Sequence, residues 1–295
     1  LSPLTDRSIQ GLYAPGSTFK MIVAIAALKH GVINSNNKVF CDGKISFGDR
    51  IFHCWKTNGH GKMDIISAIK QSCDVFFYNL SIKVGIDKIA EVAKDFGLGE
   101  TYSVEINNQK KGIVPSKKWK KEKLNQNWYG GETLIAAIGQ GYVLTTPLQL
   151  AVMTSRIASG GKKIVPSVIK SSSNNEFELM KKYTNEIKII QKAMFKVVNE
   201  KKGTAYKSKA ENFSFSGKTG TSQVKKITIA ERESEKFRNT EIEWKNRDHA
   251  LFVGYMPAKN PKYAISVVIE HGGSGASTAA PIARDIFNFI NINKI

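Results

Sequence analysis

The stretch from Ala14 to Leu28 constrains this chain more than any other. Pro15-Gly16 opens a helix and Gly31 ends it. Met21-Ile22-Val23-Ala24-Ile25-Ala26-Ala27-Leu28 is apolar nearly all round, so the helix must be enclosed by other elements. Its first turn nevertheless carries Ser17, with Lys20 at i+3 on the same face. A hydroxyl and an ammonium at the head of an enclosed helix are expensive to bury. The arrangement is unusual unless the pair works. The chain has 295 residues, 41% of them hydrophobic, enough for one large domain or two small ones with a real core.

The remaining pattern predicts mostly helices first and strands later. Residues 39–62 are rich in glycine and turn residues and read as a loop with a hairpin. Helices are expected over Met63–Gln71, Asp74–Val84 and Ile86–Phe96, then from Glu132 to Ile138, over Leu148–Ser159 and over Ile187–Glu200. The Lys-rich stretch 105–131 reads as exposed and irregular, and the charged residues 225–247 as a mobile loop. Ile164–Ile169 reads as a short strand. A strand around Lys218 and the runs Ala250–Tyr255 and Tyr263–Glu270 suggest an antiparallel sheet, closed by a helix over Ala279–Ile290. The expected class is α+β: an antiparallel sheet packed by helices, with an all-helical lobe.

Ser17 needs help to act as a nucleophile near neutral pH: a base within reach and donors for an oxyanion. No convincing Ser-His-Asp set accompanies it. Lys20 can be that base if burial and a second cation lower its pKa. The string Lys218-Thr219-Gly220-Thr221 offers that cation. The backbone N–H groups of Ser17 and Thr221 are the natural oxyanion donors. Ser72-Cys73-Asp74 lies between the two strings. Ser72 can relay a proton to a leaving amine, and Asp74 can hydrogen-bond Lys20 or substrate; alternatively one of them simply caps a helix. Lys218, Thr219 and Thr221 suit a substrate carboxylate. Gly139-Gln140-Gly141 either lines the site or stops a helix, and His271-Gly272-Gly273 suits a structural turn.

A second cluster is read from the cysteines. Cys41, Cys54 and Cys73 are the only three, and His60 falls among them. A Cys41–Cys54 disulfide would leave Cys73 unpaired, and three buried thiols are also compatible with the spacing. A tetrahedral site formed by Cys41, Cys54, His60 and Cys73 uses all of them and suits zinc. With four protein ligands such a zinc is structural, so no cofactor is needed for the chemistry. His53 competes with His60, but its neighbour Cys54 would point the other way on an extended chain.

The ordered set Ser17-x-x-Lys20, Ser72-x-Asp74 and Lys218-Thr219-Gly220 resembles the penicillin-recognising serine enzymes, the penicillin-binding proteins and serine β-lactamases. Tyr13-Ala14-Pro15-Gly16 before the first motif, Val75-Phe76-Phe77-Tyr78 after the second, Thr146-Pro147-Leu148-Gln149-Leu150, Ala250-Leu251-Phe252-Val253-Gly254-Tyr255 and Glu270-His271-Gly272-Gly273 narrow the resemblance to the class B penicillin-binding protein 2 family. It extends from about Gln10 to Ile290. In the wider superfamily the second motif usually ends in Asn; Asp74 fits this subfamily. The resemblance implies that residues 1–295 form a D,D-transpeptidase domain. It would take a peptidoglycan stem peptide, expel D-alanine, and pass the acyl group to a neighbouring stem's amine during cell-wall elongation. β-Lactams would acylate the same serine.

The resemblance further implies metal-capable residues where the cysteines stand. It implies an inner-membrane anchor, a pedestal domain and the first sheet strands upstream, with this domain periplasmic. A membrane glycosyltransferase and elongation-complex proteins are the implied partners. The start at Leu1-Ser2-Pro3, with no initiator Met, reads as a piece of something longer. If the sheet begins with upstream strands, this piece carries an unpaired edge. A β-lactamase, which must deacylate quickly, and a β-lactam sensor with a silent site are the rival readings.

Charge adds little. The formal net charge is +19, but Lys greatly outnumbers Arg and no aromatic-basic nucleic-acid motif appears. A solvated Lys-rich surface is the expectation, with no nucleic-acid partner. The exposed stretch Lys117–Lys123 reads the same way.

Overall fold

In the computed structural model every residue from Lys20 to Ala27 is buried, as an all-round apolar helix requires. The structure describes residues 4–169, 176–225 and 243–294. The chain opens with helix α1 (Arg7–Gln10), capped by the Asp6 carboxylate. The central helix does not start as an α-helix. Gly16–Phe19 forms a 3₁₀ turn in which Lys20 N–H donates to Ser17 O, and α2 follows over Lys20–Lys29. The Thr18 hydroxyl donates to Pro15 O at 2.8 Å, a local bond that competes with the wider α-helical spacing. Gly16 begins the turn at φ +54°. A Cβ there would lie 2.4 Å from Thr221 O, so the position needs glycine for both conformation and space.

Two small antiparallel ribbons follow. β1 (Val39–Cys41) pairs with β4 (Gly61–Met63), and the hairpin of β2 (Lys44–Phe47) with β3 (Arg50–His53) is nested between them. Helices α3 (Ile65–Gln71), α4 (Asp74–Val84) and α5 (Ile86–Asp95) build the helical lobe. Asp64 caps α3 by accepting from Ser67 N–H at 2.7 Å.

The predicted irregular stretch 105–131 contains a helix, α6 (Lys117–Leu124), capped by Ser116, whose hydroxyl accepts from Trp119 N–H at 3.0 Å. One buried cation anchors it. Lys120 pairs with Glu132 at 2.5 Å beneath the rings of Trp128, Tyr129 and Tyr142. A helix held by one buried lysine and one ring contact, Trp119 on Tyr142, has no apolar stripe, which is why the pattern hid it. Helices α7 (Gly130–Ala137), α8 (Pro147–Ala158) and α9 (Thr184–Asn199) come next. The predicted strand over Ile164–Ile169 does not form; only an isolated Lys162–Leu179 bridge lies nearby. Pro166 removes a ladder donor, and Val165, Val168 and Ile169 are exposed.

The main sheet has the order β5-β6-β7, all antiparallel: β5 (Ser216–Ser222), β6 (His249–Met256) and β7 (Tyr263–Ile269). Lys218 stands opposite Val253, and Val253 opposite Ser266. Helix α9 packs on β5, and α8 on β6 and β7. The last helix, α10 (Ala280–Asn293), also packs on β6 and β7, with Phe287 against Phe215. Among the described residues β7 pairs with β6 alone, so its outer edge is open. Ile282, Ile286, Phe289 and Ile292 of α10 are exposed. The charged segment read as a mobile loop falls, over 226–242, outside the described residues. No described helix is long and apolar enough to cross a membrane.

Candidate active site

The three motifs converge. Ser17 stands on the 3₁₀ turn, half-buried, and its hydroxyl enters none of the hydrogen bonds of the cluster behind it. One turn on, Lys20 is fully buried. Its Nζ donates to Asp74 Oδ1 at 2.6 Å, to Ser72 O at 2.9 Å and to Ser72 Oγ at 3.2 Å. Lys218, also fully buried, projects from β5 and donates to the same Ser72 Oγ at 3.0 Å and to Thr219 O at 2.9 Å. A single hydroxyl therefore bridges two buried lysines.

Ser72 reaches this position through strained backbone. It is the C-cap of α3 at φ 57°, ψ 41°, a left-handed conformation that costs a non-glycine residue about 1 kcal/mol or more. Such strain between α3 and α4 persists only where the surroundings impose it. The helix-capping alternative for Ser72 and Asp74 fails. Cys73 is the N-cap of α4, with no side-chain cap bond, and Asp74 turns its carboxylate to Lys20 instead.

Burial leaves its mark on the charges. Desolvation pushes the Lys218 ammonium well below the usual lysine range; the Lys20 charge adds to this and Asp74 opposes it. Desolvation likewise raises the Asp74 carboxyl, with Lys20 holding it down. Two buried cations sharing one carboxylate are costly to hold together, and that cost bears on the Lys218 ammonium.

The mouth of the site is built from backbone. Gln140 Nε2 donates to Thr221 O at 3.1 Å, so that carbonyl faces outward from the free edge of β5. In a strand the N–H and C=O of one residue point to the same side, so the Thr221 N–H faces outward as well, beside the Ser17 turn. The loop Gly139-Gln140-Gly141 thus does both things the sequence allowed. It stops α7, and it braces the site: Gly16 N–H donates to Gly139 O at 2.9 Å, and a Cβ on Gly139 would lie 2.1 Å from Gly16 O. Thr219 Oγ1 lies 2.7 Å from Thr204 Oγ1. His271-Gly272-Gly273 is a structural corner: His271 N–H donates to His249 Nδ1 at 2.9 Å and Gly273 N–H to Asp248 O at 2.8 Å.

Two contributors lay outside the sequence reading. Trp55 donates its backbone N–H to Asp74 Oδ2 at 2.8 Å and its indole N–H to Ser72 O at 3.0 Å. Thr204 ties Thr219 to the end of α3, donating its N–H to Lys70 O at 3.1 Å. Thr204 follows a glycine at the end of a periodic helix, a position that could have drawn notice. Trp55 grips Asp74 through its main chain and the end of α3 through its indole, and neither contact leaves a motif in the sequence.

The four expected metal-ligating residues also meet. The ligand atoms of Cys41, Cys54, His60 and Cys73 all lie within 4.8 Å of one another. His60 Nδ1 is 3.7 Å from Cys41 Sγ and 3.5 Å from Cys54 Sγ. The nested ribbons bring them there: His60 N–H donates to Cys41 O and Cys54 N–H to Gly43 O. All three thiols are free and buried, and His53 is not in the group. The Cys73 thiol hydrogen-bonds the Cys54 sulfur and holds Cys54 well below the usual thiol range, against the opposing effect of burial. Asp74 N–H points at Cys54 Sγ at 3.3 Å, joining this cluster to the lysine cluster.

Residues 2–288 match the family model described as the penicillin binding protein transpeptidase domain. The chain belongs to this family. It is 34% identical over 300 residues to the peptidoglycan D,D-transpeptidase MrdA of Haemophilus influenzae, covering 97% of this chain and 46% of that protein. It superposes on penicillin-binding protein PBP2 of Helicobacter pylori, solved in complex with MreC, with a TM-score of 0.87 and 33% identity over 98% of this chain and 51% of that one. Pseudomonas aeruginosa PBP2, solved in complex with WCK 5153, gives a TM-score of 0.83 and 34% identity over 97% of this chain and 62% of that one. The α+β class, with antiparallel sheet and helical lobe, is that of these transpeptidase domains. The chain spans about half the length of the curated relatives it matches.

Proposed function

We propose that this transpeptidase domain cross-links peptidoglycan stem peptides through an acyl-enzyme on Ser17, and that β-lactams acylate the same serine. The observation that carries the reading is Ser72 Oγ bridging two fully buried lysines, 3.2 Å from Lys20 and 3.0 Å from Lys218. One missing proton can be shared between the lysines through that hydroxyl. Ser72 passes its proton to Lys218 and takes one from Lys20, which leaves Lys20 neutral beside Ser17. A substrate carboxylate on Lys218 and Thr219 favours that distribution, because an anion stabilises the Lys218 ammonium. Substrate binding then activates the base.

Ser17 Oγ attacks the penultimate carbonyl and Lys20 takes its proton. Gly220 keeps β5 close to the serine turn, where a larger residue would meet Pro15 O and Thr18, and the oxyanion rests on the N–H groups of Ser17 and Thr221. The C–N bond breaks as the proton is handed through Ser72 to the departing D-alanine amine. A neighbouring stem's amine then attacks the ester, C–N forms, C–Oγ breaks, and the amine proton returns to Ser17 Oγ through the same pair. Asp74 keeps Lys20 and Ser72 in register.

Intact-protein mass spectrometry after exposure to a penicillin tests this. A stable adduct on the Ser17 peptide, absent from Ser17→Ala, is expected. An adduct elsewhere, or one surviving in Ser17→Ala, would overturn it. Rapid loss of the adduct would favour a β-lactamase, and no adduct at all a silent sensor.

We also propose a structural zinc held by Cys41, Cys54, His60 and Cys73. Zinc bonds of about 2.0–2.3 Å in a tetrahedron put neighbouring ligand atoms roughly 3.5 Å apart, and the His60–cysteine separations of 3.5 and 3.7 Å agree with that. Bound there, the ion would fix Cys73 and with it Ser72 and Asp74. The resemblance supports upstream strands and a pedestal that cover the β7 edge, an inner-membrane anchor with a periplasmic catalytic domain, and elongation-complex and glycosyltransferase partners.

A further inference from the structure

A cavity of about 420 Å³ lies beside the lysine cluster, lined by Trp55, Lys56, Gln71, Lys202, Gly203 and Thr204 among others. Its volume is in the range of small-ligand sites, roughly 300–1,000 Å³. One wall is an exposed tryptophan that is not loose. The Trp55 indole is 51% exposed, yet its N–H donates to Gln71 O at 3.1 Å and to Ser72 O at 3.0 Å. An aromatic face fixed in this way binds without losing side-chain freedom. The turn Lys202-Gly203-Thr204, in which Lys202 adopts φ 67°, also lines the cavity. Thr204 is tied to Thr219 and to α3. Two lysines line the cavity and no acidic side chain does.

In the proposed function the donor's terminal carboxylate binds Lys218 and Thr219, and Thr219 Oγ1 lies 2.7 Å from Oγ1 of Thr204, which lines the cavity. The amine that replaces D-alanine enters the space D-alanine vacates, so the adjoining cavity is open to the rest of that molecule.

We propose that this cavity holds the acyl acceptor, an amine-bearing peptide whose own carboxylate lies between Lys56 and Lys202 and whose chain runs along the Trp55 ring. The assignment rests on the transpeptidase reading of the same cleft. It makes Lys56, Lys202 and the Trp55 ring determinants of which amine is used; Trp55 also holds Asp74 and Ser72, whereas the two lysines stand apart from the residues that form the acyl-enzyme.

The test loads the full chain with a small thioester donor and follows aminolysis against hydrolysis by mass spectrometry. The acceptors are the dipeptide D-Ala-D-Glu and its diamide. Both products come from one acyl-enzyme, so their ratio does not depend on how fast it forms. The anionic dipeptide is expected to reach half-saturation at lower concentration than the diamide. Exposed charges contribute modestly, so Lys56→Ala and Lys202→Ala should each raise that concentration about threefold and together about tenfold, leaving the diamide unmoved. An unchanged half-saturation in the double variant, or equal shifts for both dipeptides, would overturn the cavity assignment alone. A parent protein that penicillin does not acylate, or whose thioester acyl-enzyme only hydrolyses, would refute the transpeptidase reading, and this assignment with it.

Discussion

Asp74→Asn separates the ion pair from everything else in the site. Lys20 is fully buried, and its shortest contact is the Asp74 carboxylate at 2.6 Å. Leaving a buried charge without its partner costs about 3–5 kcal/mol. Asn keeps one carbonyl oxygen, and Lys20 keeps Ser72 O and Oγ, so about 2 kcal/mol of that is expected. The second Asp74 oxygen accepts from Trp55 N–H at 2.8 Å. An Asn amide cannot serve both donors, which adds about 1 kcal/mol. The sum, about 3 kcal/mol, lowers the melting temperature by roughly 6 °C in a chain of this size. Differential scanning calorimetry of Asp74→Asn and of Lys20→Met/Asp74→Asn measures it. The double variant replaces the pair with an apolar side chain of similar length and should regain at least half of the loss. A single variant melting within about 1 °C of the parent, or a double variant no more stable than the single, would refute the claim that the pair is buried and coupled.

Acylation by a fluorescent penicillin should accelerate as pH rises through the depressed Lys218 range. Asp74→Asn should carry that limb to lower pH, because Asp74 is the influence that raises Lys218; a limb moving upward would contradict the assignment. Gly16→Ala and Gly139→Ala should each abolish acylation while the circular dichroism spectrum persists, since the added Cβ meets Thr221 O or Gly16 O. Chelation, or Cys73→Ala, should release one zinc per chain by elemental analysis and slow acylation; metal-replete protein without zinc would remove that site. Amides of β7 should exchange hydrogen faster in this chain than in one extended by the proposed upstream strands, and equal protection would count against that proposal.

The sequence made legible what depends on side-chain identity at fixed spacing. The limits of α4 at Asp74 and Val84 emerged as expected from its helical pattern, with Gly85 following it. The three motifs and the four candidate metal ligands could be named in advance because hydroxyl, amine, thiol and imidazole are rare at those positions without a use. The main chain's contribution stayed hidden. Trp55 holds Asp74 through an N–H that any non-proline residue would supply, and only the indole's bonds to Gln71 O and Ser72 O make it particular. Helix α6 was hidden because Lys120, its anchor, looks in sequence like every other lysine in a solvated run. The strand predicted over 164–169 has the right apolar content, but Pro166 withholds a ladder donor at its centre.

The two clusters are best understood as one device divided by Cys73. Ser72 and Asp74 turn toward the lysines, while Cys73 between them turns toward Cys41, Cys54 and His60. The division is closed twice by main-chain donors: Asp74 N–H to Cys54 Sγ, and Trp55 N–H to Asp74 Oδ2. Adjacent residues 54 and 55 therefore grip both sides of the second motif. This explains how a serine can be kept in left-handed backbone at a helix junction. The strain is resisted by the cysteine cluster from one side and by the two buried lysines from the other. It also explains why Asp suits the third position of this motif. A carboxylate can accept from Lys20 on one oxygen and from Trp55 N–H on the other, whereas an amide would leave one of those donors facing an NH₂ group.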